Sequence, residues 1–231
     1  MENRSYREQL EEQLMDRAAE VRRRDEEIAL RLLRAAEYRD DETGLHVQRV
    51  GALAAGLARA LGWNRDAANS IRLAAAMHDI GKVAVPDRIL LRPGKLTELE
   101  FELVKKHTEV GAALLAESDI PLLEMAHDIA LFHHEWWNGT GYPQGKSGLE
   151  IPESARITAI ADVYDVLLHE QAYRPAMPEG QALGVMTDER GSHFDPAMLD
   201  RFLSVLGDLR TVLQAMESPR EHLAVGHAME R

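Results

Sequence analysis

Residues 73–87, LAAAMHDIGKVAVPD, place His78 and Asp79 at the end of an alanine-rich apolar run, with Gly81 and Lys82 behind them. Three other stretches aim histidines the same way. His46 lies one turn before Val50 on the stripe of Leu53, His107 falls between Leu103 and Val110, and His133 follows Ala126 and Ile129 at helical spacing. A single inward histidine is most often a hydrogen-bonded core residue. Several of them, together with Glu42 one turn before His46, Asp79 beside His78 and Asp162 inside the apolar run ITAIADVYDVLL, point to a metal site. Buried carboxylates need cations, and few Lys or Arg lie nearby in the sequence.

With no cysteine in the chain, the ligands are nitrogen and oxygen, a set that suits iron or manganese and is compatible with zinc. The adjacent pairs His78-Asp79 and His133-His134 diverge on a helix by about 100° per residue, so each can serve two ions, or one ion and its outer contacts. Asp79 has two oxygens with which to bridge ions. Ions there would supply Lewis acidity and an activated water for attack on phosphorus. Lys82, one turn past His78, is placed to hold a phosphate oxygen; its competing role is that of an exposed lysine at a helix end.

Composition narrows the setting of this chemistry. A net charge of -12 argues against duplex nucleic acid as a partner, because that affinity comes from Lys and Arg on phosphates. No apolar run approaches the roughly 20 residues that span a bilayer, and the N-terminal residues lack a secretory apolar stretch. Membrane insertion is therefore not expected, and a cytoplasmic location is.

The elements that must hold these residues are helices. Residues 1–37 contain no Gly or Pro and repeat Leu14, Val21, Ile28 and Ala35 every seven positions, the pattern of a helical stalk. It either pairs as a coiled coil or packs on the body. From residue 38 to 231 the chain is one all-α domain. Helices are expected over Thr43–Leu61, Arg65–Ile80, Thr97–Glu117 with a Thr97–Glu100 capping box, Pro121–His134, Pro152–His169 and onward from Asp195-Pro196.

HDIGK at 78–82, then VPDRIL, RPGKLTELE, HHEWWNGTGYPQG at 133–145, IPESARITAIADVYD and HFDP stand in one order from Arg34 to Leu206. This succession resembles the HD-GYP branch of the HD-domain phosphohydrolases. The resemblance implies an all-α HD-domain bundle that hydrolyses cyclic di-GMP to pGpG and GMP with two or three divalent ions, Fe or Mn. It identifies Glu42, His46, His78, Asp79, His107, His133, His134 and Asp162 as ligands, with Glu42 favouring three ions. Asp79 and Lys82 become catalytic, and Lys82, Tyr142, Asp165 and Arg174 meet substrate. It also implies a GGDEF-domain or receiver-domain partner, and the stalk implies a homodimer.

Two positions depart from the family pattern. Gln171 stands where an arginine is usual and cannot form a charged fork, and Asn138 replaces an aspartate. Gln171 keeps open a second reading, a cyclic di-GMP receptor or interaction module with little turnover; an HD enzyme for another nucleotide phosphate is a third. Trp136 and Trp137 either stack a guanine or pack their loop. His127, His169, His222 and His227 are expected at the surface, and His193 in a structural turn.

Overall fold

Asn64, Thr97 and Asp195 start three of the helices, and His133 and His169 stand at the ends of two. The computed structural model describes residues 45–92, 94–170 and 175–217, with scattered positions between Arg7 and Glu27. Glu42, Gln171, Arg174, His222 and His227 lie outside the described residues. In chain order the helices are α1 (Leu45–Ala60), α2 (Arg65–Ala76), α3 (Asp87–Leu90), α4 (Glu98–Lys105), α5 (His107–Leu115), α6 (Pro121–Phe132), α7 (Glu153–Leu168), α8 (Glu179–Asp188) and α9 (Pro196–Glu217). Short 3-10 turns cover Ile80–Ala84 and Gly148–Glu150. Among the described residues there is no strand, as the all-α expectation requires. The described positions between Arg7 and Glu27 are helical, and Leu10, Leu14 and Met15 there are exposed.

Caps fix where several helices begin. Asn64 accepts the Ala67 amide at 2.9 Å, Thr97 and Glu100 form the expected capping box, and Asp195 accepts the Ala197 amide at 2.9 Å ahead of Pro196. Apolar stripes then drive the packing. Val50 and Leu57 of α1, Ile71 and Ala74 of α2, Ile129 of α6, Ile157 and Ile160 of α7, and Leu199 and Phe202 of α9 are fully buried in one core. α1 lies at its centre against α2, α7 and α9, while α6 joins α2 to α5.

The structure differs from the sequence-based expectation at two boundaries and in short helices that were not foreseen, Asp87–Leu90 among them. α2 ends at Ala76 rather than Ile80, because the Met77 and His78 amides turn back to Ala74 and Ala75 and the chain enters the 3-10 turn. The helix expected over Thr97–Glu117 breaks at Lys106 into α4 and α5. α8 was not anticipated; its buried side chains are only Ala182 and Met186, too weak a stripe to read.

The Trp-rich loop after α6 docks on the turn before α9. The Trp137 amide donates to the His193 carbonyl and the Asn138 amide to that of Ser192, both at 2.9 Å. Trp136 stacks on His193 with centroids 4.5 Å apart, His193 stacks on Phe194, and the Arg156 guanidinium lies over Trp137. Both tryptophans thus pack the loop onto the body, and His193 has the structural role expected of it. Asn138 accepts from the amide and hydroxyl of Thr140, a turn contact that an aspartate would also make.

Gly81 marks the tightest crossing. A Cβ there would lie 1.9 Å from the His107 carbonyl oxygen and 2.5 Å from the Gly111 amide nitrogen. Gly81→Ala is expected to force the turn off α5, costing about 1–3 kcal/mol and lowering Tm by several degrees in thermal unfolding. A second expectation concerns pH. Burial lowers the His193 pKa to about 4. An unfolded histidine protonates near 6.5, so stability from neutral His193 is complete above that pH and is lost as pH falls toward about 4. His193→Gln should therefore lose less Tm than the native chain between about pH 7 and about pH 5.

Candidate metal centre

The histidines that meet at the centre stand where helices end or break. His78 follows α2, His133 follows α6, and His107 opens α5 at the break after α4. Each of these imidazoles folds back onto a carbonyl one turn earlier, which at Ala75 and Ile129 also takes a backbone amide. His78 Nδ1 donates to the Ala75 carbonyl at 2.8 Å, His107 Nδ1 to Val104 at 2.6 Å, and His133 Nδ1 to Ile129 at 2.9 Å. His46, inside α1, donates Nδ1 to Asp165 Oδ2 at 2.8 Å. With Nδ1 so engaged, each ring turns Nε2 inward, and in the neutral form of the ring that nitrogen carries the lone pair a metal would take.

Those nitrogens face carboxylate oxygens. Asp79, in the turn after α2, has Oδ1 at 3.1 Å from His107 Nε2 and 3.7 Å from His133 Nε2, while its Oδ2 is 3.2 Å from His78 Nε2. Asp162 of α7 has Oδ1 at 3.4 Å from His46 Nε2 and 3.7 Å from His78 Nε2. Two adjoining groups result, Asp79 with His107, His133 and His134, and His46 with His78 and Asp162; each could hold a metal ion. His78 Nε2 and Asp79 Oδ1 are buried without a hydrogen-bond partner. Lone pairs facing lone pairs in a buried site call for a cation, and the nitrogen and oxygen donors fit divalent first-row ions.

The local fields agree. Burial pulls the His78 pKa down, but Asp79 and Asp162 outweigh it and the value rises, so this position attracts positive charge. Burial, with His133 and His107 beside it, holds His134 well below the ordinary histidine value, and burial lowers His133 as well. Both rings keep their lone pairs available. Burial would raise Asp79 and Asp162, yet Lys82 and His78 hold Asp79 well below the carboxylate range and His46 and His78 hold Asp162 below it.

Asp165, expected to meet substrate, lies in the structure beneath the centre. It is 1% exposed, takes the Arg49 fork at 2.6 and 2.9 Å, and accepts from His46. Both its oxygens are engaged beneath the centre, where it orients His46. Arg49 escaped notice in the sequence, although a charged residue one turn after His46 on an apolar stripe was the available sign. Glu135 also escaped notice. It is 2% exposed and anchors the Gly-Tyr-Pro loop by accepting the Gln144 amide at 2.7 Å.

That loop closes over the last histidine. A Cβ at Gly141 would lie 2.3 Å from the Trp136 amide nitrogen and 2.5 Å from the His134 carbonyl oxygen. Only glycine lets the backbone come so near, and Tyr142 then stacks on the His134 ring at 4.8 Å. Burial and the charges of Asp79 and Asp162 raise the Tyr142 pKa, so its hydroxyl remains a donor. Lys82 in the Ile80–Ala84 turn reaches Asp79 Oδ2 at 2.8 Å and is partly exposed. Gly81 seats this turn on α5. The expected surface histidines differ slightly: His127 is partly buried, and His169 donates to the Asp165 carbonyl at 2.8 Å.

Residues 31–198 match the HD domain family, and the chain belongs to it. It is 42% identical over 194 residues to the cyclic di-GMP phosphodiesterase response regulator RpfG of Xanthomonas campestris pv. campestris, covering 84% of this chain and 51% of that one. It is 40% identical over 184 residues to the 3'3'-cGAMP-specific phosphodiesterase 2 of Vibrio cholerae, covering 80% of this chain and 35% of that one. The chain thus spans about half the length, or less, of these curated relatives. Its fold is similar to that of an HDG"Y"P protein of Bdellovibrio bacteriovorus, with a TM-score of 0.58, 22% identity, and coverage of 79% of this chain and 62% of that one.

The orienting role of Asp165 has a measurable consequence. Asp165→Asn weakens the hold on the Arg49 fork and on His46 Nδ1, and changes to such outer contacts typically cost about 10–100-fold in metal affinity. Equilibrium dialysis with Mn(II) should show that loss while His107 and His133 remain in place.

Proposed function

We propose that the chain is a metal-dependent phosphodiesterase that hydrolyses cyclic di-GMP to pGpG and onward to GMP. The observation that carries this reading is the convergence of imidazole nitrogens with the oxygens of Asp79 and Asp162 at one partly exposed, lysine-flanked place. His46, His78 and Asp162 would hold one ion, and His107, His133 and His134 another, with Asp79 between them. Glu42 is assigned to a third. Iron or manganese is the proposed metal. When bound, such ions supply Lewis acidity and an activated water.

The protein's own residues do the rest. Asp79 presents Oδ2 toward His78 and Lys82 and Oδ1 toward His107 and His133, so it ties the two halves together. The Lys82 ammonium, while it holds Asp79, can turn a further N–H toward a phosphate oxygen and offset its charge. Tyr142 stays protonated beside His134 and donates to a substrate oxygen. Arg174 is assigned to the substrate side. His134 is held in place by the stacked tyrosine, and the Trp136–His193 stack keeps the loop that carries both from swinging away.

A second reading, a cyclic di-GMP receptor with little turnover, is favoured by Gln171, which removes a charged fork from the substrate side. In either case residues 1–37 are taken as a helical stalk that dimerises and residues 38–231 as the phosphohydrolase domain, with a GGDEF or receiver domain as partner and the cytoplasm as location. No described helix is long and apolar enough to cross a membrane.

Metal-loaded protein incubated with cyclic di-GMP should release pGpG and GMP, followed by chromatography. Asp79→Ala removes the shared ligand and should reduce turnover by more than about 10³-fold; undiminished turnover would overturn the enzymatic reading. Tight binding with negligible turnover, restored by Gln171→Arg, would favour the receptor.

A further inference from the structure

We propose that Phe101, Lys105 and Tyr142 form a notch at the rim of the centre that reads a purine base and prefers guanine to adenine. This rests on the reading of the site as one for a cyclic dinucleotide. A file of rings leads outward from the metal ligands. His134 stacks on Tyr142, and Tyr142 meets Phe101 edge to face with centroids 6.3 Å apart. The Lys105 ammonium lies 5.1 Å from the Phe101 centroid and 5.4 Å from that of Tyr142, so one cation serves both rings.

Core packing does not account for this group. α4 buries none of its residues, and Phe101 is 45% exposed. The helix is held at its ends, by the Thr97–Glu100 cap at one and by the His107 bond to the Val104 carbonyl at the other. The same break that delivers His107 to the centre therefore fixes Lys105, two residues earlier, at its rim. An aromatic ring left half in solvent beside a phosphate-handling centre is a stacking platform of the kind single-stranded nucleotides use.

The cation supplies the preference. Guanine offers two acceptors, N7 and O6, on its Hoogsteen edge, whereas adenine offers N7 and the N6 donor. An ammonium only donates. Lys105 matches the guanine edge and opposes the adenine amine. Its contact with Glu102 at 2.6 Å, on a partner side chain 59% exposed, is a surface pair that a base can displace.

The test compares kcat/KM for cyclic di-GMP and cyclic di-AMP in metal-loaded native protein, Lys105→Met and Phe101→Ala. Both positions are on a helix that contributes nothing to the core, so the variants should fold. Lys105→Met should lower the guanine-over-adenine ratio about tenfold, and Phe101→Ala should raise KM for both substrates about tenfold. A ratio unchanged within about twofold in Lys105→Met, with both dinucleotides still hydrolysed by the native protein, would overturn the notch alone. If the native protein binds them without turnover, the ratio of dissociation constants takes the place of the kcat/KM ratio, with the same two outcomes. Failure to bind or hydrolyse either dinucleotide would instead bring down the functional reading, and the notch with it.

Discussion

Imidazole Nε2 atoms face carboxylate oxygens at 3.1 to 3.7 Å in the middle of this molecule, and most of its local structure follows from holding them there. Such an arrangement is repulsive unless a cation lies within it. The four Nδ1 contacts to Asp165, Ala75, Val104 and Ile129 set it up, because in a neutral ring they hold the single proton on the outer nitrogen and leave Nε2 to a cation. Helix ends are good places to do this, since a ring at the end of a helix folds back onto a carbonyl of the last turn.

The constraint spreads outward through close backbone approaches and one buried ion pair. Gly81 lets the turn after His78 touch the His107 backbone, and Gly141 lets the loop after His134 fold back on residues 134–136. Arg49 and Asp165 occupy what would otherwise be apolar core between α1 and α7, and they fix His46 at the cost of desolvating two charges. Removing one partner would leave the other buried alone, so the pair stands or falls together.

Much of this was legible in the sequence. His46, His78 and His133 could be found because each sits on an apolar stripe where a polar side chain is out of place; His107 was found from Leu103 and Val110, although Leu103 is exposed and the helix breaks between them. The capping box at Thr97 and the start at Asp195-Pro196 were readable from local chemistry alone. Other features were not, for physical reasons. Periodicity continued smoothly across Ala76 and Lys106, so it could not reveal that helices stop there to release His78 and His107. The position of Asp165 beneath the site depends on Arg49, 116 residues away in the chain. Phe101 and Lys105 lie on a helix without an apolar stripe, and their relation to Tyr142 is purely tertiary.

The central claim is that this cluster is built for divalent cations, and metal quantification tests it most directly. Protein purified without oxygen and titrated with Fe(II) or Mn(II) should bind at least about two ions per chain, with Tm rising as the ions fill the centre and falling when a chelator withdraws them. Folded protein that binds no divalent ion, and whose Tm is indifferent to metal and chelator alike, would contradict the account.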